Sequence, residues 1–431
     1  MTKTFRPYEP DQLLLLPPSL QDWVPEGHLA WFVSDLVDTL DLSAIEDSYV
    51  EQRGYPPYHP RMMVKLLVYG YCTGTYSSRR IAAKLSDSVA YRFLAAGNEP
   101  DFRTISDFRK RHGEALGGLF DQVLRLCQET GLVKLGKVAL DGTKIKANAS
   151  KHKAMSYGRM KQQQAALRAQ IDEMLKRAEA ADREEDRRYG SDKRGDELPA
   201  ELARRQSRLE KIQQAKAALE AEAKQKAAAE GKDPKTAQPA DKAQRNFTDP
   251  ESKIQKTNDG FIQGYNAQAA VDEPFQVIVA QHITPASNDV NQLEPTVENI
   301  RRVLGRKPQA LLGDAGYWSE ANITYLQQQR VEAFIATGRQ KHDQAPPPAP
   351  RGRPPANLTL RERMARKLRT VVGKKTYSRR KVIVEPVFGQ IKQARRYRQF
   401  LRRGLNNGKQ EWAMVCTAHN ILKLFGAMAL A

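Results

Sequence analysis

Three acidic residues have the types and settings that metal-assisted chemistry on phosphodiesters requires. Asp141 and Asp314 each follow an apolar run typical of a buried strand, and each precedes a small residue. Glu385 begins the run EPVFGQIK, which ends at Lys392. Mg²⁺ prefers carboxylate oxygens, and two ions about 4 Å apart stabilise the attacking and leaving oxygens of a phosphodiester. These acids therefore predict a site for metal-dependent cleavage of nucleic acid.

Glu385 lies in a strongly basic stretch. The segment from Arg351 to Arg403 has 18 Lys and Arg residues but only two acids, Glu362 and Glu385, and so supplies +16 of the net charge of +20. This local excess indicates a surface for a polyanion. If the run after Glu385 is helical, Lys392 lies two turns further on the same face, where it is expected to contact a phosphate. Glu362 has no partner motif and is interpreted as solvated.

Length and composition limit the class of protein. A chain of 431 residues is expected to form two or three folded units. The three cysteines lie far apart and the histidines lack zinc spacing, so we expect a reducing compartment and no structural zinc. The apolar run Leu13–Leu16 is too short for a signal peptide, and no stretch is long enough to span a membrane. A cytoplasmic protein without a membrane partner is expected.

The first part of the chain is predicted to be helical, because apolar residues recur at helical spacing from about Leu29 to Glu129. Arg79 and Arg80 fall at the start of one short helix, and Arg109 falls in a later one. Short helices with early basic residues fit a helix-turn-helix-like DNA-binding unit, in which these three arginines contact DNA. A plain helical bundle explains the same spacing equally well.

The acids Asp141 and Asp314 are positioned by predicted strands. The pattern gives a strand that ends at Asp141, two strands joined by a turn at Asp272–Pro274, then alternating helices and strands, with Asp314 after one of them. This order predicts an α/β fold with a mixed sheet and helices packed against it.

The predicted sheet is interrupted between its first two strands. Residues 151–250 are rich in Ala, Gln, Glu, Lys and Arg, and two apolar stripes within them predict an antiparallel helical hairpin with its turn at Tyr189–Pro199. Its role is open among a dimer contact, a DNA contact and a spacer. The Pro-rich segment Gln344–Pro355 is interpreted as a linker or loop that leads into the basic stretch.

These features together resemble the DDE transposases of bacterial insertion sequences. The matching runs are ALDGTK around Asp141, GDAGY around Asp314, and the segment Tyr377–Lys392 that contains Glu385. The resemblance covers most of the chain. It implies an α/β mixed-sheet ribonuclease H-like catalytic domain, preceded by an all-α N-terminal DNA-binding domain and interrupted by the helical hairpin.

The expected domain organisation follows from this resemblance and from the patterns above. It comprises a helical DNA-binding domain at 1–130, the first catalytic strand at 131–150, the helical insertion at 151–250, the catalytic domain at 251–340, a Pro/Arg-rich linker at 341–370, and the C-terminal helical part of the catalytic domain at 371–431.

The resemblance also implies the roles of the acids. Asp141, Asp314 and Glu385 would be the catalytic residues and would hold two Mg²⁺ ions, for which Mn²⁺ would substitute. An activated water, and later a DNA 3′-hydroxyl, would attack phosphorus. The family's Tyr and Arg ahead of the glutamate are matched by Tyr377 and by either Arg380 or Lys381, all expected to contact DNA. The spacing here does not decide between the last two.

The remaining candidates concern DNA binding. Arg395 and Arg396 are expected to make nonspecific phosphate contacts. Trp318 is assigned either to stacking on an unpaired base or to the core, and Asp289 is interpreted as a helix cap. Many relatives carry their insertion just before the glutamate helix, whereas this chain carries it after the first strand.

The expected partners are the terminal inverted repeats of the element and target DNA, both double-stranded, with a homodimer acting at the nucleoid of a bacterial cell. Two alternatives are a catalytically inactive, sequence-specific DNA-binding protein and a purely hydrolytic nuclease.

Overall fold

The computed structural model describes residues 19–49, 56–189, 200–257, 260–338 and 348–428, with side chains described outside 178–202. The predicted run Leu13–Leu16 and most of the hairpin turn lie outside these ranges. Two compact units are present, one formed by Met1–Cys127 with Met414–Ala431 and the other by Gln128–Ala413. Among the described residues, no helix is both long and apolar enough to cross a membrane.

The first unit is helical, which confirms the predicted all-α N-terminal region. Its helices are α1 (Leu29–Thr39), α2 (Ser43–Glu46), α3 (Pro60–Thr73), α4 (Ser78–Asp87), α5 (Val89–Leu94), α6 (Phe102–Arg111) and α7 (Gly113–Glu129). Helix α3 is the most buried, with Leu66, Leu67 and Tyr71 at most 1% exposed. It ends at Gly74, whose φ of 78° is the left-handed conformation that glycine adopts without steric cost.

The three arginines predicted to bind DNA in this unit differ in exposure. Arg79 and Arg80 are exposed on α4, as a DNA contact requires. Arg109 is only 7% exposed, and its guanidinium donates a hydrogen bond to the carbonyl oxygen of Tyr76 at 2.7 Å. The prediction that Arg109 contacts DNA is therefore wrong, because the side chain links two elements inside the helical unit.

The second unit contains a mixed sheet, as predicted. The strands of the unit are β1 (Lys137–Lys146), β2 (Ala154–Ser156), β3 (Gln244–Asn246), β4 (Lys253–Thr257), β5 (Gly260–Asp272), β6 (Ile278–Thr284), β7 (Ala310–Gly313) and β8 (Glu332–Ile335). Within the described residues the main sheet has the order β4-β5-β1-β7-β8, with β6 also paired to β5, while β2 and β3 form a separate pair. Strand β1 is antiparallel to β5 and parallel to β7.

The helices of the second unit pack on this sheet or extend from it. They are α8 (Tyr157–Tyr189), α9 (Ala200–Ala229), α10 (Leu293–Leu304), α11 (Glu320–Gln328), α12 (Leu360–Arg369), α13 (Val371–Gly389) and α14 (Leu405–Met428). Helix α13 packs on β1 and β5, and α10 packs on β6. The last part of α14, from Met414, belongs to the first unit, whereas the sequence grouped all of 371–431 with the catalytic domain.

Helices α8 and α9 form the predicted antiparallel hairpin. Tyr157 donates a hydrogen bond to Glu220 at 2.7 Å, and Lys216 donates one to Gln164 at 3.3 Å, so the start of α8 faces the later part of α9. The hairpin has its own apolar core, which contains Tyr157, Met160, Leu167, Ile212, Ala215 and Leu219. Leu175 was predicted in the apolar stripe but is 38% exposed.

The segment 341–370, predicted as a linker, contains helix α12. This helix begins with a capping box, in which the Glu362 amide donates to the Thr359 hydroxyl at 3.3 Å and the Thr359 amide donates to the Glu362 carboxylate at 2.9 Å. Such reciprocal bonds satisfy backbone N–H groups that a helix start leaves unpaired. Glu362 is therefore a helix cap, although its sequence setting suggested only a solvated acid.

Candidate active site

Asp141 and Asp314 lie on neighbouring parallel strands of the sheet. Asp314 directly follows β7, but Asp141 lies in the middle of β1, which continues to Lys146, so the prediction that this strand ends at Asp141 is wrong. In the pairing of β1 with β7, Val138 lies opposite Leu311 and Ala139 lies opposite Leu312. The same register, continued by two residues, sets Asp141 opposite Asp314. Both strands are buried over these apolar positions, as expected for central parallel strands.

Asp141 lies in a crowded electrostatic environment. Burial raises the pKa of its carboxyl group to about 6, and the nearby charges of Asp314 and Asp289 act in the same direction. The guanidinium of Arg380 opposes this shift by donating a hydrogen bond to Asp141 Oδ2 at 3.2 Å. The carboxylates of this site therefore carry more negative charge than their arginine partner compensates.

Asp289 is a third carboxylate at this position, and it does not act as the predicted cap. It precedes the short 3-10 turn before α10, but its side chain makes no capping hydrogen bond. Its Oδ1 instead accepts hydrogen bonds from the amide groups of Asn266 and Gln268, each at 2.6 Å. Gln268 in turn accepts a hydrogen bond from the buried hydroxyl of Tyr317. Asp289 thus links β5 to the segment that carries Asp314.

The small residues after Asp141 and Asp314 allow this close approach. A Cβ atom at Gly142 would lie 2.7 Å from Asn266 Oδ1 and 2.9 Å from Asp289 Oδ1. A Cβ atom at Gly316 would lie 3.0 Å from Asp314 Oδ1 and 3.2 Å from Asp289 Oδ2. Asp289 therefore lies between the chain segments that follow Asp141 and Asp314, and side chains at either glycine would push these acids apart.

Glu385 is exposed on helix α13, five residues after Arg380. Pro386 has no N–H for the carbonyl oxygen of Val382, and the side chain of Gln276 donates to that oxygen at 3.1 Å instead. The charge of Glu385 acts on Arg380, the partner of Asp141. Across the described residues, no three His, Cys, Asp or Glu side chains are close enough to hold one metal ion. The structure thus brings together Asp141 and Asp314, and the role of Glu385 stays a prediction.

Two parts of the chain match known protein families. Residues 18–111 match a transposase domain, DUF772, and residues 228–421 match the transposase DDE domain, together about two thirds of the chain. The chain belongs to the DDE transposases. No curated protein and no solved structure gives a significant match.

Family membership establishes the class of reaction. DDE transposases are enzymes that act on DNA and generally use divalent metal ions, so neither the inactive DNA-binding protein nor the purely hydrolytic nuclease is favoured. The matched DDE segment of this transposase contains Asp289, Asp314 and Glu385, and Asp141 precedes it across the helical insertion.

Lys392 contacts strand β1 from a π-helical turn that the sequence did not predict. The α-helical pattern of α13 ends at Gly389 and continues as a π-helical turn from Gln390 to Ala394. Because a π turn has more residues per turn, Lys392 does not keep the α-helical register with Glu385 that the sequence suggested. Its ammonium donates a hydrogen bond to the carbonyl oxygen of Lys144 on β1 at 2.9 Å.

The structure distinguishes the two candidates for the arginine that precedes the glutamate. Arg380 points toward Asp141, whereas Lys381 is exposed. Burial raises the pKa of Tyr377, and the neighbouring positive charge of Arg380 acts in the opposite direction. Tyr377 and Arg380 therefore lie beside the acids, and Lys381 is left on the outer face of the helix.

The other predicted DNA contacts are divided by burial. Arg396 is exposed, but Arg395 is only 7% exposed, so the prediction that Arg395 makes a surface phosphate contact is wrong. Trp318 is half-buried, which leaves both of its predicted roles open. The burial of Arg395 and the exposure of Arg396 follow directly after the π-helical turn Gln390–Ala394, which no feature of the sequence predicts.

The donor set of the site fits divalent ions by its chemistry. Carboxylate oxygens are the preferred ligands of Mg²⁺ and Mn²⁺, and the charges of Asp314 and Asp289 both act on the carboxyl group of Asp141. Asp141 and Asp314 are the two acids that the strand register brings together for such an ion.

Proposed function

We propose that the second unit is a ribonuclease H-like catalytic domain that cleaves DNA at the ends of an insertion sequence and joins those ends to target DNA. The observation that supports the proposal is the parallel pairing of β1 and β7, whose register, extended by two residues beyond the last paired position, aligns Asp141 with Asp314. The antiparallel pairing of β1 with β5, and of β5 with β6, supports the same fold.

In this proposal Asp141 and Asp314 hold two Mg²⁺ ions, with Glu385 as the third carboxylate, and Mn²⁺ substitutes. When bound, such ions supply activation of the attacking oxygen and neutralisation of charge at phosphorus. The exposed position of Glu385 on α13, beside Arg380, is compatible with a ligand that approaches only when DNA is present.

The basic side chains near the acids have a separate task. Arg380 donates a hydrogen bond to the Asp141 carboxylate. Lys144 lies on β1, three residues after Asp141, and donates to the carbonyl oxygen of Ser287 at 3.2 Å, while Lys392 donates to the carbonyl oxygen of Lys144. We assign these three cations, with Tyr377, to positioning the phosphate that reacts. Arg79, Arg80, Lys381, Arg396 and Trp318 are proposed as further DNA contacts.

The partners in this proposal are the terminal inverted repeats and the target DNA, at the nucleoid of a bacterial cell. A homodimer would hold the two ends of one element, with one copy of the chain at each end.

The test uses purified protein, Mg²⁺ and duplex DNA that carries the terminal repeats. We expect strand cleavage followed by joined products. Asp141→Asn, Asp314→Asn and Glu385→Gln should each reduce the cleavage rate by at least about 10²-fold, the usual effect of removing an essential group from an active site, while DNA binding persists.

Glu362→Gln is the matched control, because Glu362 is the other acid of the basic stretch and glutamine preserves a capping box. It should cleave like the unmodified protein. Full activity in one of the three acid variants would remove that residue from the mechanism, and cleavage without joined products would leave only the hydrolytic alternative.

A further inference from the structure

A groove with a basic lining lies at the base of the helical hairpin, outside the acid site. Its volume is about 860 Å³, and its basic lining residues are His152, Lys153, Arg159, Arg204, Arg208 and Lys211. Among the described residues, no Asp or Glu lines it. The groove therefore presents one sign of charge to whatever occupies it.

Helix α9 forms one wall of the groove. Arg204, Arg208 and Lys211 occur at positions i, i+4 and i+7, so they form a single stripe, and all three are exposed. Like charges four residues apart on one face repel each other and destabilise a helix. Below the stripe, Ile212 is 1% exposed and belongs to the apolar core of the hairpin, which fixes the position of this wall.

Among the described residues, the acids of the hairpin pair with cations outside the groove. Glu222 pairs with Arg245 and Lys253, and Asp241 pairs with Lys161, all of them outside the groove lining. In contrast, Arg159 and the three residues of the α9 stripe form no ion pair within the described part of the chain. Their charge is available to an anion from outside.

The dimensions of the stripe suit a nucleic-acid backbone. Seven residues of α-helix separate Arg204 from Lys211, a rise of about 10 Å. One strand of duplex DNA presents a phosphate for about every 3.4 Å of its axis, so a stripe of this length can face about three phosphates. Phe247, an aromatic residue in the lining, packs against the hairpin core and is not left free to stack on a base.

We propose that this groove binds the phosphate backbone of duplex DNA and is a second DNA-binding surface of the transposase. The proposal rests on the proposed function only in taking DNA as the substrate. The groove lies between α9 and the segment that leads out of β1, the strand that carries Asp141. DNA held there would be bound through charge and without reading of base sequence.

The test compares two triple variants of the full-length protein. Arg204→Gln/Arg208→Gln/Lys211→Gln removes the stripe, and Arg168→Gln/Lys176→Gln/Lys224→Gln removes the same charge from exposed positions of α8 and α9 that do not line the groove. Binding to duplex DNA is measured without metal ions at several salt concentrations.

We expect the stripe variant to bind at least about tenfold more weakly at low salt, and its slope of log K against log[salt] to fall by about 2–3, since each phosphate contact contributes about 0.9. The control variant should keep the slope of the unmodified protein. Equal slopes for the two variants would overturn the proposal. So would a stripe variant that binds single-stranded RNA more weakly than the unmodified protein does but binds duplex DNA normally.

A second measurement does not depend on how the triple variant folds. Ser207 lies in the groove lining and is exposed, whereas Cys72, Cys127 and Cys416 are buried. The thiol introduced by Ser207→Cys should attack a mixed disulfide tethered to the backbone of duplex DNA, which forms a protein–DNA disulfide and releases the tether's small leaving thiol. Gln225→Cys, at an exposed position further along α9, should not. Absence of the Ser207→Cys cross-link would contradict the proposal.

The two proposals fail in different ways. Cleavage at saturating DNA depends on the acid site, whereas binding without metal reports the groove. A stripe variant that cleaves at the normal maximal rate but needs more DNA to reach it is the expected result. Conversely, an Asp141→Asn variant that no longer cleaves DNA but keeps the normal salt dependence of binding would show that DNA binding in the groove does not depend on the acid site.

Discussion

Ionisation of the buried Asp141 carboxyl group lowers the free energy of unfolding. The proposed role of Asp141 as a metal ligand would explain why an acid is kept at this position. Burial is the largest influence on its pKa and outweighs the ion pair with Arg380, so the folded protein binds this proton more tightly than the unfolded chain does. Ionising Asp141 at neutral pH therefore works against folding. A site designed only for stability would hold a neutral residue here, and a cation bound between Asp141 and Asp314 would remove the cost.

Asp141→Asn should consequently stabilise the metal-free protein at neutral pH. The folded pKa of about 6 lies above the ordinary value of 3.8, so the stability of the unmodified protein falls as pH rises from about 4 to about 6. At pH 7 we expect the variant to be more stable by up to about 2–3 kcal/mol, the equivalent of two pKa units. Thermal unfolding in EDTA at pH 4 and pH 7 tests this, and a difference that is equal at both pH values would contradict it.

Asp289 shows how a local sequence preference can mislead. Ser-Asn-Asp before a helix favours a cap, and the sequence was interpreted in that way. The structure instead directs the carboxylate to Asn266 and Gln268, more than twenty residues earlier on β5. The antiparallel pairing of β5 with β6 sets Asn266 opposite Thr284 and Gln268 opposite His282, and so brings both amides near Asp289. The residues next to Asp289 carry no sign of these partners.

Asp289→Asn should reduce strand cleavage by about 10- to 100-fold, the usual effect of changing a residue that orients metal ligands. Asparagine keeps an oxygen for the two amide donors but removes a charge next to Asp141 and Asp314. The concentration of Mg²⁺ needed for half-maximal cleavage should rise. Glu320→Gln, at an exposed acid in the first turn of α11, is the control and should have no effect. An Asp289→Asn enzyme with normal Mg²⁺ dependence would limit Asp289 to a structural role.

The elements of the sheet were largely predictable, because their signals are local. The Asp272–Pro274 turn lies where the sequence predicts it, and the predicted strand before Asp141 is present, although it continues through Asp141 to Lys146. The π-helical turn after Gly389 was not predictable, and with it the burial of Arg395 and the direction of Lys392 were missed. These features depend on how α13 packs against β1 and β5, and the sequence of the segment alone is compatible with an uninterrupted helix.

Substitution of Gly264 tests how closely β5 packs against β1, because Gly264 is paired with Lys146. A Cβ atom there would overlap the carbonyl oxygen of Ile145, a backbone atom that cannot move without disturbing the sheet. Gly264→Ala should therefore lower the free energy of unfolding by about 2–3 kcal/mol, as overpacking in a core does. At Gly136, just before β1, an added Cβ atom would have no neighbour within 4 Å. Gly136→Ala should leave stability unchanged within about 1 kcal/mol in urea unfolding, and equal losses in both variants would contradict the sheet geometry.

At the scale of the whole molecule, the positive charge is divided among different tasks. Several arginines of the 351–403 stretch donate to carbonyl oxygens of the chain itself, such as Arg361 to Thr337 at 2.7 Å and Arg403 to Asn148 at 3.1 Å. These residues hold the stretch against the sheet. The net charge of +20 therefore overstates what this stretch offers to DNA, and the hairpin groove adds a second basic surface.

The hairpin is built so that it can be removed without cutting the sheet. Ser156 and Gln244 are directly paired in the β2–β3 ladder, and α8, α9 and their core lie between them in sequence. Replacing residues 157–243 by Asn-Gly should close a two-residue β-turn between these strands. The shortened protein should keep its maximal cleavage rate within about tenfold but should bind duplex DNA at least about tenfold more weakly, because the groove is lost.

The comparison of this shortened protein with the stripe variant separates the charge of the hairpin from its bulk. If the groove is the hairpin's contribution, both proteins should show the same reduced salt dependence of DNA binding. A shortened protein that fails to fold would show that Met155 and Phe247, which pack against the hairpin core, need it as part of the catalytic unit. One that folds and binds DNA like the full-length chain would show that the hairpin serves another purpose, and circular dichroism with salt-dependent binding distinguishes these outcomes.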